Sequence, residues 1–106
     1  MNRKSFAIVL VAMLILIAAP AAFAAPDGGA LYKAKCASCH GPDGGGMTAM
    51  GKSLKLRDLR SPDVQKQTDA ELFKLTADGK GKMPAYKAKL TEAEITALVA
   101  YMRTLK

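Results

Sequence analysis

Cys36-Ala37-Ser38-Cys39-His40 is the stretch of this 106-residue chain whose residue types and spacing combine into a definite chemistry. Two residues three positions apart on a helix sit about 60° apart around its axis, so both thiols face one side. Both can then add to the two vinyl groups on one edge of a porphyrin. The adjacent histidine swings beneath the ring and presents an imidazole nitrogen to the iron. Cys-x-x-Cys-His is the attachment signature of c-type haem.

Three other chemistries use parts of the same string. A structural disulfide suits an exported chain with two cysteines, but it makes no use of His40. A thioredoxin-like redox motif needs strands alternating with helices around it, and strand-forming residues are scarce. A tetrahedral zinc site normally wants four ligands, and Cys36, Cys39 and His40 are the only soft candidates here. One covalently attached haem c, with its iron, is the expected cofactor.

The iron has a second axial position. His40 is the chain's single histidine, so a bis-histidine haem is excluded. Beyond residue 24 the soft donors are Met47, Met50, Met83 and Met102. Met102 lies on an apolar helical stripe, where core filling is its default role. Met47 and Met50 follow His40 so closely that reaching the opposite face of the ring is awkward. Met83 comes 43 residues after the histidine, in Gly79-Lys80-Gly81-Lys82-Met83-Pro84. Such a loop can cross to the far face, with glycines permitting close approach and Pro84 stiffening the ligand. Met83 is therefore the expected sixth ligand. Lys80, Lys82, Lys87 and Lys89 flank it and are expected to steer docking onto an acidic partner, although they also read as an ordinary solvated loop. Arg57 and Arg60 are candidates for hydrogen bonds to the haem propionates, against the plainer reading of surface arginines.

The elements that must position these residues are short. Asp27 N-caps a helix expected from about Gly28 to Cys39. Gly41 to Gly46, with three consecutive glycines at its end, must be loop. From Met47 to Arg60 the periodicity is poor, with Leu54, Leu56 and Leu59 facing inward. Ser61-Pro62 starts a short helix through about Lys66. Thr68 and Glu71 have capping-box spacing at the head of a helix that ends near Gly79, and Leu72 and Leu75 form its inner stripe. Lys80 to Lys89 is loop. Thr91 and Glu94 repeat the box, and Ile95, Leu98, Val99, Met102 and Leu105 follow at helical spacing.

Ahead of all this, Asn2-Arg3-Lys4-Ser5 is basic and Phe6 to Ala19 is an uncharged run of 14 residues ended by Pro20. Small residues then lead to Ala22-Phe23-Ala24. This is the layout of a secretory signal peptide, cleaved after Ala24; a spanning helix wants about 20 apolar residues. Residues 1–24 are thus read as leader and 25–106 as the functional domain, in the periplasm. Anchoring by an uncleaved leader is the alternative.

The 82 residues left bury little apolar surface, and a chain of that size leans on a cofactor, metal or disulfide. Its only β-branched aliphatics are Val64, Ile95 and Val99, so the fold class is all-α. The whole chain carries a net charge of +7; without Arg3 and Lys4 it keeps 14 basic and 9 acidic residues. The basic residues are dispersed and no nucleic-acid motif accompanies them, so an acidic protein surface is the expected counterpart.

Taken together, Cys36-Ala37-Ser38-Cys39-His40, Gly81-Lys82-Met83-Pro84 and Leu98-Val99-Ala100-Tyr101 resemble the class I cytochromes c, in particular the small single-haem bacterial ones. The resemblance implies three to four short helices wrapped around one haem, with the first and last crossing at close range. It implies that Gly28 and Tyr32 meet Leu98 and Tyr101. Cytochromes of the c-prime type place the haem motif near the C-terminus of a four-helix bundle, unlike this chain, which argues against an open, gas-binding iron. No counterpart is evident for the proline with which many larger relatives accept a hydrogen bond from the haem histidine; Pro42 is merely close in sequence.

Histidine and methionine on the iron leave no vacant position for substrate, and methionine raises the potential relative to two nitrogen ligands. The expected function is one-electron transfer with redox proteins by a monomeric carrier, a membrane-bound oxidase or reductase among the candidate partners. A haem peroxidase or gas-reactive haem, with Met83 unbound, is the rival from another class. A fixed subunit of a membrane complex is the third reading.

Overall fold

The structure is a computed structural model that describes residues 25–106; the expected leader, 1–24, lies outside the described residues. Among the described residues it is built from six helical segments with no strand: α1 (Gly28–Lys35), α2 (Ala37–His40), α3 (Ala49–Leu54), α4 (Pro62–Gln65), α5 (Asp69–Asp78) and α6 (Glu92–Met102). All four helices expected from the sequence are present, and α3 is an addition.

Capping explains most of the boundaries. The Asp27 carboxylate accepts from the Ala30 N–H at 3.1 Å and starts α1. Both capping boxes close reciprocally: Thr68 with Glu71 at 2.8 and 3.1 Å, and Thr91 with Glu94 at 3.0 and 3.1 Å. Each satisfies two backbone donors that would otherwise lack a partner. Pro62 occupies the first turn of α4, where its missing N–H costs nothing. Gly79, at φ +73°, ends α5.

The sequence and the structure differ at two places. The helix expected from Gly28 to Cys39 is divided at Cys36, which ends α1 and opens α2 with a φ of −117°, still in the right-handed region. Its hydrogen bonds nevertheless run through: Cys36 N–H donates to Tyr32 O at 2.8 Å and His40 N–H to Cys36 O at 2.9 Å. In the Met47–Arg60 stretch, Thr48 caps the six-residue α3 by accepting from Gly51 N–H at 2.9 Å. Six residues are too few for a periodic signal, so only the cap marks this helix in the sequence.

The first and last helices cross as expected. A Cβ on Gly28 would run into the Ala97 carbonyl and stand 3.1 Å from Tyr101 Cβ, so only glycine permits this approach. One turn on, the Tyr32 and Tyr101 rings lie 5.2 Å apart and tilted by 44°, a favourable aromatic arrangement. Tyr32, Ala77, Tyr86, Leu90, Ile95 and Leu98 form the main buried cluster, and Val64, Leu72 and Val99 a second. Leu59 packs against both, while Leu54 and Leu56 are half-buried. Arg103 closes the second cluster's edge, donating to the Gln65 carbonyl at 2.7 Å and to Asp69 at 3.0 Å.

Candidate haem site

Cys36 and Cys39 stand at the joint between α1 and α2, half-buried and not bridged to one another. Burial, helped by the neighbouring Cys39, pushes the Cys36 thiol up to about 11. It is therefore neutral near pH 7, which suits an uncharged thioether and opposes a thiolate nucleophile or metal ligand. Among the described residues no three His, Cys, Asp or Glu side chains converge on a metal position.

His40 ends α2. Burial holds its imidazole below the usual histidine range, so the ring is uncharged at neutral pH. Its Nδ1 is buried without a hydrogen-bond partner, and Pro42 supplies none. The backbone around it is tightly held instead. Thr48 Oγ1 donates to Cys39 O at 2.6 Å, Gly46 N–H to His40 O at 2.7 Å, and Tyr32 Oη to Gly41 O at 2.6 Å. Gly51 lets α3 lie against this segment, because a Cβ there would stand 2.6 Å from Cys39 O. Two unbridged thiols beside an uncharged imidazole with a buried, unsatisfied nitrogen fit the donor set of a covalently held haem.

The loop carrying Met83 is tied back to α5 and α1 by a route the sequence does not display. Lys80 and Met83 exchange backbone hydrogen bonds at 3.2 and 3.0 Å around Gly81, making a tight turn. Tyr86 N–H and Lys87 N–H then donate to Thr76 O and Ala77 O, each at 3.1 Å, which returns the loop to the end of α5. Finally Tyr86 Oη donates to Lys35 O at 3.1 Å, on the residue before the first thiol. Burial raises the Tyr86 hydroxyl, with smaller contributions from nearby Cys36 and Cys39. Met83 itself is half-buried.

The other methionines are placed differently. Met47 and Met50 are 67% and 51% exposed, whereas Met102 packs beside the Val64–Leu72–Val99 cluster, the filler role expected of it. Lys80, Lys82, Lys87 and Lys89 are all exposed. Lys87 pairs with Asp78 at 3.5 Å, and Lys89 Nζ lies 5.8 Å from the centre of the Tyr86 ring. Arg57 is exposed. Arg60 already grips two carboxylates, Asp58 at 2.9 and 3.0 Å and Asp43 at 3.4 Å, and its bonds hold the Asp58 carboxyl below the usual range. Tyr86, Thr48 and Gly51 were not singled out as site residues by the sequence. Of these, only Thr48 carried a local signal, as a hydroxyl ahead of a short helix.

Residues 23–102 match the family model described as "Cytochrome C oxidase, cbb3-type, subunit III". Cytochrome c6 of Synechococcus sp. (strain ATCC 27167 / PCC 6312) is 35% identical over 98 residues, covering 91% of this chain and 84% of that protein. Cytochrome c6 of Leptolyngbya boryana is 35% identical over 78 residues, covering 74% and 88%. Among solved structures, the KustC0563 c-type cytochrome superposes with a TM-score of 0.70 at 35% identity, over 76% of this chain and 98% of that one. The chain belongs to this cytochrome c family and is a small class I c-type cytochrome. Its cofactor is one covalently bound haem c, whose iron supplies a one-electron redox change. It is an electron carrier working with redox partners rather than an enzyme, and the peroxidase or gas-reactive reading finds no support among these relatives.

Proposed function

We propose that this chain is a periplasmic carrier of single electrons, with haem bonded to Cys36 and Cys39 and its iron held between His40 and Met83. The supporting observation is the Tyr86 Oη to Lys35 O hydrogen bond, which ties the Met83 loop to the residue preceding Cys36. It spans 51 positions of sequence and ties the segment three residues beyond Met83 to α1, which supports Met83 as the ligand. Six-coordination leaves the iron no open position, so the reaction is outer-sphere electron transfer. Replacing Met83 by alanine is expected to abolish the weak far-red sulfur-to-iron band, lower the potential and admit small ligands. An unchanged band in that variant would move the ligand role to another residue.

The leader, 1–24, is removed after Ala24, leaving residues 25–106 as a monomer. The basic start, the uncharged Phe6 to Ala19 run and the Ala22-Phe23-Ala24 site support the removal of the leader. The intact mass of protein from the native host tests it. Lys80, Lys82, Lys87 and Lys89 steer the carrier onto an acidic partner surface, and transfer rates should fall as salt rises. Of the two propionate candidates, Arg57 takes the role ahead of Arg60, whose guanidinium is already engaged. A second reading, a fixed subunit of a membrane-bound oxidase or reductase, draws on the match of residues 23–102 to the cbb3-type oxidase subunit III family. Co-fractionation with membranes after a salt wash would select it.

A further inference from the structure

Met47 and Met50 are the exposed large apolar side chains among the described residues, at 67% and 51%. Met47 immediately precedes the Thr48 N-cap of α3 and Met50 lies in its first turn, so both sit at the same end of that helix. The helix is committed inward by a different residue. Gly51 backs onto the Cys39 and Gly46 carbonyls, which seats this end of α3 against the backbone of the second cysteine. Lys52 and Lys55 follow, both exposed. No carboxylate side chain occurs between Asp43 and Asp58, and those two both pair with Arg60. Lys55 closes α3 at φ +55°, the one left-handed residue other than glycine among the described residues. That conformation costs a residue with a side chain more than it costs glycine, so the backbone alone favours glycine there.

We propose that Met47 and Met50 form the apolar centre, and Lys52 and Lys55 the charged rim, of a docking face for an acidic redox protein. This rests on the reading of the chain as an electron carrier. Methionine is unbranched and polarisable and repacks against surfaces of different shape. That suits a carrier that meets a donor and an acceptor in turn. A second copy of the chain is the wrong occupant, because two faces carrying only positive charge repel. An anionic membrane matches the charge, but without Trp, Phe or Leu the face has little to insert.

The test uses the full holoprotein, with membrane and periplasmic fractions of the native host as electron donors and acceptors. The double variant Met47→Gln, Met50→Gln keeps side-chain length and charge and removes the apolar centre. Its second-order rate of exchange should fall about fivefold, with the salt dependence of the parent. Its reduction potential and its exchange with ferricyanide should stay at parent values. Lys55→Gly should lower the same rate and flatten its salt dependence, while the thermal midpoint holds or rises. A double variant that exchanges at the parent rate overturns the proposal. So does a shifted potential, which would make the methionines haem contacts. Binding of the parent to phosphatidylserine vesicles, lost in the double variant, overturns it too and makes the face a membrane surface. A parent that reduces ferricyanide yet exchanges with neither fraction would instead refute the carrier reading.

Discussion

The two sides of the proposed haem site are built on opposite principles. On the His40 side everything needed lies within 20 residues: two thiols, the imidazole, buried glycines and a hydroxyl that caps the next helix. There the backbone is locked by short hydrogen bonds at 2.6 to 2.7 Å. On the Met83 side the loop has one two-residue bridge of its own and depends on Tyr86 reaching α1. The difference means that the histidine side is set locally, whereas the methionine side is set by tertiary contact. With the ligands proposed above, disturbance of the fold should therefore release Met83 before His40.

Alanine in place of two glycines gives the largest contrast. Gly51→Ala puts a Cβ 2.6 Å from the Cys39 carbonyl, and the overpacking should cost about 2–3 kcal/mol, outweighing alanine's better helix propensity. Gly81→Ala meets no atom within 4 Å and bears only left-handed strain at φ +58°, about 1 kcal/mol. Denaturant unfolding of both holoproteins measures the gap; equal losses would mean that the His40 side is no more tightly packed than the loop.

Tyr86→Phe tests the tertiary tie. It keeps the buried ring and deletes one hydrogen bond, at a cost of about 1 kcal/mol. Under the proposed ligation, the far-red sulfur-to-iron band should disappear at lower denaturant than in the parent, ahead of the loss of helix. Coincident transitions would break the proposed order of release.

Alkaline pH probes both tyrosines together. The Tyr32 hydroxyl is pushed up to about 12 from 10.0, chiefly by burial, and that of Tyr86 is raised for the same first reason. The folded state then keeps a proton that the unfolded chain gives up. The associated stability is intact below pH 10 and drains away as pH rises from 10 toward 12. A stability profile of Tyr32→Phe should be flatter across that window; a profile parallel to the parent's would remove Tyr32 as the source.

The smallest effect belongs to the loop's surface. Lys87→Ala breaks an exposed pair with Asp78 and should change stability by no more than about 0.5 kcal/mol, while its effect on partner rates varies with salt. A larger stability loss would mean that the loop is held by more than Tyr86 and its backbone bonds.

These contrasts follow what was legible beforehand. Both capping boxes, the Asp27 cap and the stripe of α6 could be read because each is written within a few residues, and local rules govern them. The division at Cys36 could not, since neither glycine nor proline marks it. Nor could α3, whose six residues give no period, or the second role of the Thr48 hydroxyl on Cys39 O. Arg60 was read as a candidate for propionates, yet its fork closes on Asp58, two residues away, and on Asp43 across the glycine loop.

By itself the sequence determined the cofactor chemistry, because two thiols and an imidazole at that spacing lie on one short helical segment and need no help from the rest of the chain. It also determined the helical class, through its shortage of β-branched residues. Only the tertiary structure decided what surrounds these groups: which carbonyls the Tyr32 and Thr48 hydroxyls hold, and how Tyr86 brings the Met83 loop back to α1. Those bonds join residues 9 and 51 positions apart. Contacts at such range depend on where whole helices pack, and the α1–α6 crossing at Gly28 sets that.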